Sequence, residues 1–134
     1  MPENKIKPKV LILEDEPVIS KVLYRAFFAA GLDPDIAENG LYAEEKLASG
    51  NKYDLFVFDI RTPIVSGMQL YEYMEKNYPE TVDKVIFMTG DYLNATTYTF
   101  LERTNRPFIN KPFTPDQIME LIKPILQAQL SAAR

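Results

Sequence analysis

Residues 54–70 read DLFVFDIRTPIVSGMQL. Four apolar residues, 55–58, run without interruption into Asp59. An unbroken apolar run of this length predicts a strand buried on both faces, as in a parallel sheet. The loop that follows contains Pro63 and Gly67, after which apolar residues recur at helical spacing at Leu70, Tyr71 and Met74. The segment therefore reads as strand, loop, helix. A carboxylate at the carboxyl end of such a strand stands where ligands of open α/β sheets bind. It is equally well placed as a plain cap, accepting hydrogen bonds from the loop amides after it. The rest of the chain has to separate the two.

The same alternation repeats on either side. KVLILE (9–14), DIAE (35–38), KVIFMT (84–89) and PFIN (107–110) read as four further strands. A helix is predicted over 16–30, with Ile19, Val22, Leu23, Ala26, Phe27 and Ala30 on one stripe, Pro17 in its first turn and Gly31 at its end. Asn39 caps a second helix that stops near Gly50. The third starts near Gly67 and halts before Pro79. A fourth spans roughly 92–103, although NATTYTF contains poor helix formers. In the fifth, Thr114 is the cap, Pro115 the first helical residue, and Ile118, Leu121, Ile122 and Ile125 the core face; Pro124 inside it predicts a kink or a break. Strand then helix, five times over, implies an α/β parallel sheet with helices on both faces and right-handed crossovers.

Composition narrows the chemistry. The 134 residues suffice for one domain, and 46% hydrophobic with 25% charged residues is ordinary globular composition. A net charge of −4 gives no general attraction to nucleic acid or anionic lipid. No cysteine or histidine is present, which excludes disulfides, thiolate zinc sites, imidazole ligands and histidine-based triads within this chain. The polar start MPENKIKPK has no signal-peptide core, and no apolar run approaches the roughly 20 residues that span a bilayer. A cytoplasmic domain is expected by default.

In a parallel sheet all carboxyl ends open on one rim. Here that rim collects Glu14 and Asp15 after the first strand, Asp59 after the third, Thr89 after the fourth and Lys111 after the fifth. Three clustered carboxylates repel one another and call for a cation. With only oxygen donors, that cation is Mg²⁺, Mn²⁺ or Ca²⁺ rather than zinc, and magnesium suits an open rim best. Lys111 and Thr89 then suit the oxygens of a phosphoryl group, and Asp59 between them is placed as a nucleophile.

With these motifs in order, the chain resembles the receiver domains of two-component response regulators. LILEDE supplies the acidic pair, YDLFVFDIRTPIVSGMQL the phosphoacceptor, VIFMTG the hydroxyl and FINKPF the lysine followed by proline; AENGLYAEEKL resembles the family's second helix. The likeness implies a flavodoxin-like (βα)5 three-layer sandwich with strand order 2-1-3-4-5, a receiver unit at 9–127, and tails at 1–8 and 128–134. It implies that Asp59 accepts a phosphoryl group from a histidine kinase or phosphotransfer protein carrying phosphohistidine. Mg²⁺ (or Mn²⁺) would be ligated by Asp15, Asp59 and the backbone carbonyl of Arg61, with Glu14 acting mainly through a metal-bound water. Lys111 would bridge to Asp59 and then to the phosphoryl group, Thr89 would shift toward it, and Phe108 would occupy the aromatic switch position. The Lys111–Pro112 bond is expected to be cis.

The same likeness implies a responsive face built from the fourth helix, fifth strand and fifth helix, which could also support a homodimer. No nucleic-acid or membrane contact is expected of this domain, and no enzyme activity beyond metal-dependent self-phosphorylation and dephosphorylation. Residues 85–113 resemble receivers at the carboxyl end of hybrid histidine kinases. Three departures stand out: Glu14 takes the place of the more usual aspartate, Phe108 lacks a tyrosine hydroxyl, and the Arg61 cation could pair with Asp91 or Glu14. Two other functions fit the same fold. A flavodoxin-like cofactor-binding protein would need a phosphate-accepting loop after the first strand, where EDEPVIS is acidic and lacks glycine. A pseudo-receiver that only docks partners would not need the complete acid, hydroxyl and lysine set.

Overall fold

A computed structural model describes residues 7–132, with side chains described through 129. Strands β1 (Lys9–Leu13), β2 (Asp33–Ala37), β3 (Leu55–Asp59), β4 (Val85–Thr89) and β5 (Phe108–Asn110) form one parallel sheet in the order β2-β1-β3-β4-β5. Helices α1 (Pro17–Ala29), α2 (Gly40–Ala48), α3 (Gly67–Asn77), α4 (Ala95–Thr104) and α5 (Pro115–Ala132) follow the strands in turn. The expected fold class and strand order are both present.

Strand residues alternate between two cores, as the period of two requires. Leu11, Leu13, Phe56, Phe58, Val85 and Phe87 face α2, α3 and α4, meeting Ala43, Leu47, Leu70, Tyr71, Met74, Phe100 and Leu101. Val10, Ile12, Leu55, Val57, Ile86 and Met88 face α1 and α5, meeting Leu23, Phe27, Ile118 and Ile122. The three central strands are buried on both faces because both faces carry helices, which explains their continuous apolar runs.

Helix starts follow local chemistry. The Asn39 side chain accepts the Tyr42 N–H, and reciprocal Ser66–Gln69 and Thr114–Gln117 bonds form capping boxes on α3 and α5. The structure differs from expectation in several places. β2 starts at Asp33, two residues earlier than read, because Pro34 needs no N–H partner on an edge strand. α4 starts at Ala95 rather than near Tyr92, because the Asn94 side chain accepts from the N–H groups of both Thr96 and Thr97. It forms despite its threonines because Thr97, Phe100 and Leu101 share one buried face. A 3₁₀ turn over Pro79–Lys84 joins α3 to β4. Of the kink or break expected at Pro124, the break does not occur: α5 is one continuous helix. Pro124 and Glu120 are both exposed, so the carbonyl that loses its helical partner faces water. The expected tails lie partly outside the described residues, at 1–6 and 133–134.

Candidate functional site

β1 ends at Leu13, so Glu14 and Asp15 are the first residues beyond the sheet; Asp59 and Thr89 are the last residues of β3 and β4, and Lys111 follows β5 directly. The register pairs Asp59 with Met88, one residue before Thr89. The sheet itself therefore sets the spacing of these groups.

Glu14, Asp15 and Asp59 each offer a carboxylate oxygen, and these oxygens lie within 4.8 Å of one another. Lys111 Nζ enters the same cluster, 3.0 Å from Asp59 Oδ2 and 2.8 Å from Glu14 Oε1, the second contact being an ion pair off the hydrogen-bond direction. Glu14 and Asp59 are buried, whereas Asp15 is exposed at the rim. One burial-driven consequence is that Glu14 is pushed up to about 7, against the pull of Lys111 and with the push of Asp59. Burial raises Asp59 as well, opposed chiefly by its hydrogen bond to Lys111. Burial alone pulls the Lys111 ammonium down, but Glu14 and Asp59 together outweigh it and hold it above the ordinary lysine range. One ammonium thus serves several acids that cannot all ionise without cost. The donors are hard oxygens converging on an open rim, which fits a divalent cation of the magnesium type.

The loop after β3 is shaped around Asp59. Arg61 N–H donates to Asp59 Oδ1 at 3.3 Å, Thr62 Oγ1–H to the Val65 carbonyl at 2.9 Å, and Gly67 N–H to the Ile60 carbonyl at 3.0 Å. Ile64 has φ +70°, a conformation that a β-branched residue rarely adopts, so this loop holds backbone strain beside the cluster. Gly67 starts α3 so close that a Cβ there would collide with the Asp59 carbonyl oxygen. Thr89 is buried and its Oγ1 accepts the Asp91 N–H at 3.1 Å. The Lys111–Pro112 bond is cis, and the Lys111 N–H donates to the Thr89 carbonyl at 2.8 Å.

The side chains of two sequence candidates pair elsewhere than with Glu14, Asp15 and Asp59. Phe108 begins β5, opposite Phe87, and stacks on Tyr92 with ring centroids 5.1 Å apart. The Arg61 guanidinium reaches Asp91, at 4.0 Å, rather than Glu14. The structure adds residues that the sequence did not announce. Glu16 approaches Lys111 to 3.5 Å, and its N–H donates to Glu14 Oε2 at 3.1 Å. Its position two residues beyond Glu14 was the available signal. Arg103, in α4, pairs with Glu72 and Glu75, and Arg106 donates to the Asp83 and Val85 carbonyls.

The response regulator receiver domain family matches residues 10–123, and the chain belongs to that family. Over 117 residues it is 31% identical to a probable transcriptional regulator ycf29 of Porphyra purpurea, covering 87% of this chain and 56% of that protein. Over 121 residues it is 31% identical to the response regulator protein PilR of Pseudomonas aeruginosa, covering 90% of this chain and 26% of that protein. The chain thus spans about half of the first relative and about a quarter of the second. Among solved structures, a CheY-like response regulator receiver domain protein from Methanospirillum hungatei superposes with a TM-score of 0.83 at 26% identity, covering 95% of this chain and 99% of that one. The signal receiver domain of a signal transduction histidine kinase from Syntrophus aciditrophicus shares the fold, with a TM-score of 0.80 at 22% identity, covering 90% of this chain and 91% of that one.

Membership makes the chain a two-component receiver, and it carries an acidic pocket at Glu14, Asp15 and Asp59. Receiver domains bind Mg²⁺ at such a cluster. No helix among the described residues is long and apolar enough to cross a membrane.

Proposed function

We propose that this receiver accepts a phosphoryl group onto Asp59 from the phosphohistidine of a kinase or phosphotransfer protein. A carboxylate oxygen of Asp59 bonds to phosphorus as the phosphorus–nitrogen bond breaks, leaving neutral imidazole on the donor once it takes up a proton, and an acyl phosphate here. The observation that carries this reading is the 3.0 Å contact between Lys111 Nζ and Asp59 Oδ2, inside a cluster that also holds Glu14 and Asp15. Asp59 is the one acid of the three that ends a strand, which fixes its direction of approach. Lys111 neutralises charge building on the phosphoryl oxygens, and Thr89 supplies a hydroxyl to one of them.

Asp15, Asp59 and the Arg61 carbonyl would hold Mg²⁺ or Mn²⁺, with Glu14 acting mainly through a bound water. When bound, the cation supplies further neutralisation of the phosphoryl charge. Turning of the Thr89 hydroxyl toward the phosphoryl group opens space on the side of Phe108, and the α4–β5–α5 face responds as the surface for a partner or a second copy. Residues 9–127 are read as the receiver unit, with α5 continuing beyond it from 128 to 132. The likeness of residues 85–113 to receivers of hybrid histidine kinases supports such a context, which the full reading frame tests.

Intact mass after treatment with a small phosphodonor tests the transfer. We expect one added phosphoryl group in the presence of Mg²⁺ and none after chelation. An unchanged mass in both would leave a docking module that is not phosphorylated.

A further inference from the structure

A second, looser ion pair spans the same rim. Arg61 Nη2 lies 4.0 Å from Asp91 Oδ2, joining the loop after β3 to the loop after β4, and both side chains are about half exposed. Each end is tied by its backbone to a residue of the cluster. The Arg61 N–H donates to Asp59 Oδ1 at 3.3 Å, and the Asp91 N–H donates to Thr89 Oγ1 at 3.1 Å. The Asp91 carbonyl in turn accepts the Asn94 N–H at 3.1 Å, and Asn94 caps α4. A continuous line of contacts therefore runs from Asp59 through Arg61 and Asp91 to the start of α4.

The charge balance makes this line responsive. Lys111 lies within 3.5 Å of three carboxylates, those of Glu14, Glu16 and Asp59, so its ammonium is already shared. A phosphoryl group on Asp59 replaces one negative charge by nearly two. Arg61 is a second cation on the same loop, two residues on. A guanidinium matches phosphate oxygens with paired hydrogen bonds, which its single 4.0 Å approach to Asp91 does not provide. An exposed pair of that length holds weakly and gives way to a stronger partner.

We propose that Arg61 exchanges partners, pairing with Asp91 in the resting protein and with the phosphoryl group on Asp59 afterwards, so that Asp91 and the loop leading into α4 are released. This rests on the phosphoacceptor reading above. Arg61 and Asp91 are positioning residues in this scheme: they carry the charge change at Asp59 to the cap of α4.

Hydrogen exchange over residues 90–100, side-chain nitrogen NMR of Arg61 and intact mass, all on the full chain, test it together. In wild type, phosphorylation shifts the Arg61 Nε–Hε signal and speeds exchange at the α4 cap. Resting Asp91→Asn exchanges there roughly two- to five-fold faster than resting wild type, toward the phosphorylated level. In Arg61→Gln, the further change on phosphorylation is lost when exchange is counted over the phosphorylated molecules alone. A phosphoryl mass gain with an unmoved Arg61 signal overturns the exchange of partners and leaves the phosphoacceptor reading standing. Resting Asp91→Asn with wild-type exchange also overturns it. No mass gain in wild type removes both.

Discussion

Glu14→Gln should stabilise the metal-free protein at pH 8. Glu14 is buried, with no exposed side-chain surface, and burial lifts its carboxyl from 4.5 to about 7. A carboxyl raised on folding contributes stability that is fully present below its unfolded value and lost as pH climbs through its folded value. The window here runs from about 4.5 to about 7. At about 1.4 kcal/mol for each tenfold change, the full loss has a ceiling of about 3 kcal/mol. The value of about 7 already includes the pull of the Lys111 ammonium, 2.8 Å from Oε1; relaxation of the pocket around the ionised group reduces the cost, so about 1–3 kcal/mol is expected. Glutamine keeps the shape and cannot ionise. Urea unfolding with chelator present, at pH 5 and pH 8, measures the effect. Wild type should lose stability relative to Glu14→Gln between the two pH values, with similar denaturant slopes. Mg²⁺ should restore wild type more than the variant. If Glu14→Gln is instead the less stable protein at pH 8, the ion pair with Lys111 outweighs desolvation, and the reasoning about burial is wrong.

Other expectations follow from single contacts. Gly67→Ala places a methyl group against the Asp59 carbonyl oxygen, where backbone must give way, and should cost about 1–3 kcal/mol in urea unfolding. Unchanged stability would mean that the β3–α3 loop is freer than its strained Ile64 suggests. Asn94→Ala removes the acceptor for two N–H groups and should cost about 1 kcal/mol, read as faster hydrogen exchange in the first turn of α4. Mg²⁺ titration should move amide signals of residues 14–16 and 59–62 before any others, and a response elsewhere would relocate the cation.

The architecture was legible because its signals are physical and local. Uninterrupted apolar runs in β1, β3 and β4 report burial on both faces, and Asn39 and Thr114 mark helix starts through their side-chain caps. The cluster was legible for a different reason: a parallel sheet places every strand end on one rim, so chain position alone brought Glu14, Asp15, Asp59, Thr89 and Lys111 together. What escaped depends on long side chains and on loop paths. Nothing in the order of residues told whether Arg61 would turn to Asp91 or to Glu14, because both acids lie within reach of a flexible cation. Glu16 comes within 3.5 Å of Lys111, with its N–H bonded to Glu14 Oε2, a contact set by the path of the loop into α1. Tyr92 stayed outside α4 because Asn94 offered a better cap, and that left its ring to stack on Phe108. Whether Pro124 breaks its helix depends on which way the helix face points, and here the helix continues.

The most direct measurement is peptide mapping by mass spectrometry after phosphodonor treatment with Mg²⁺, on wild type and Asp59→Asn. Asp59 alone combines a strand-end position with a direct Lys111 contact and proximity to the other two acids. The phosphoryl group should therefore map to the peptide carrying Asp59 in wild type, and Asp59→Asn should fold and take none. A phosphoryl group retained by Asp59→Asn, or mapped to another residue in wild type, would contradict the assignment of the nucleophile.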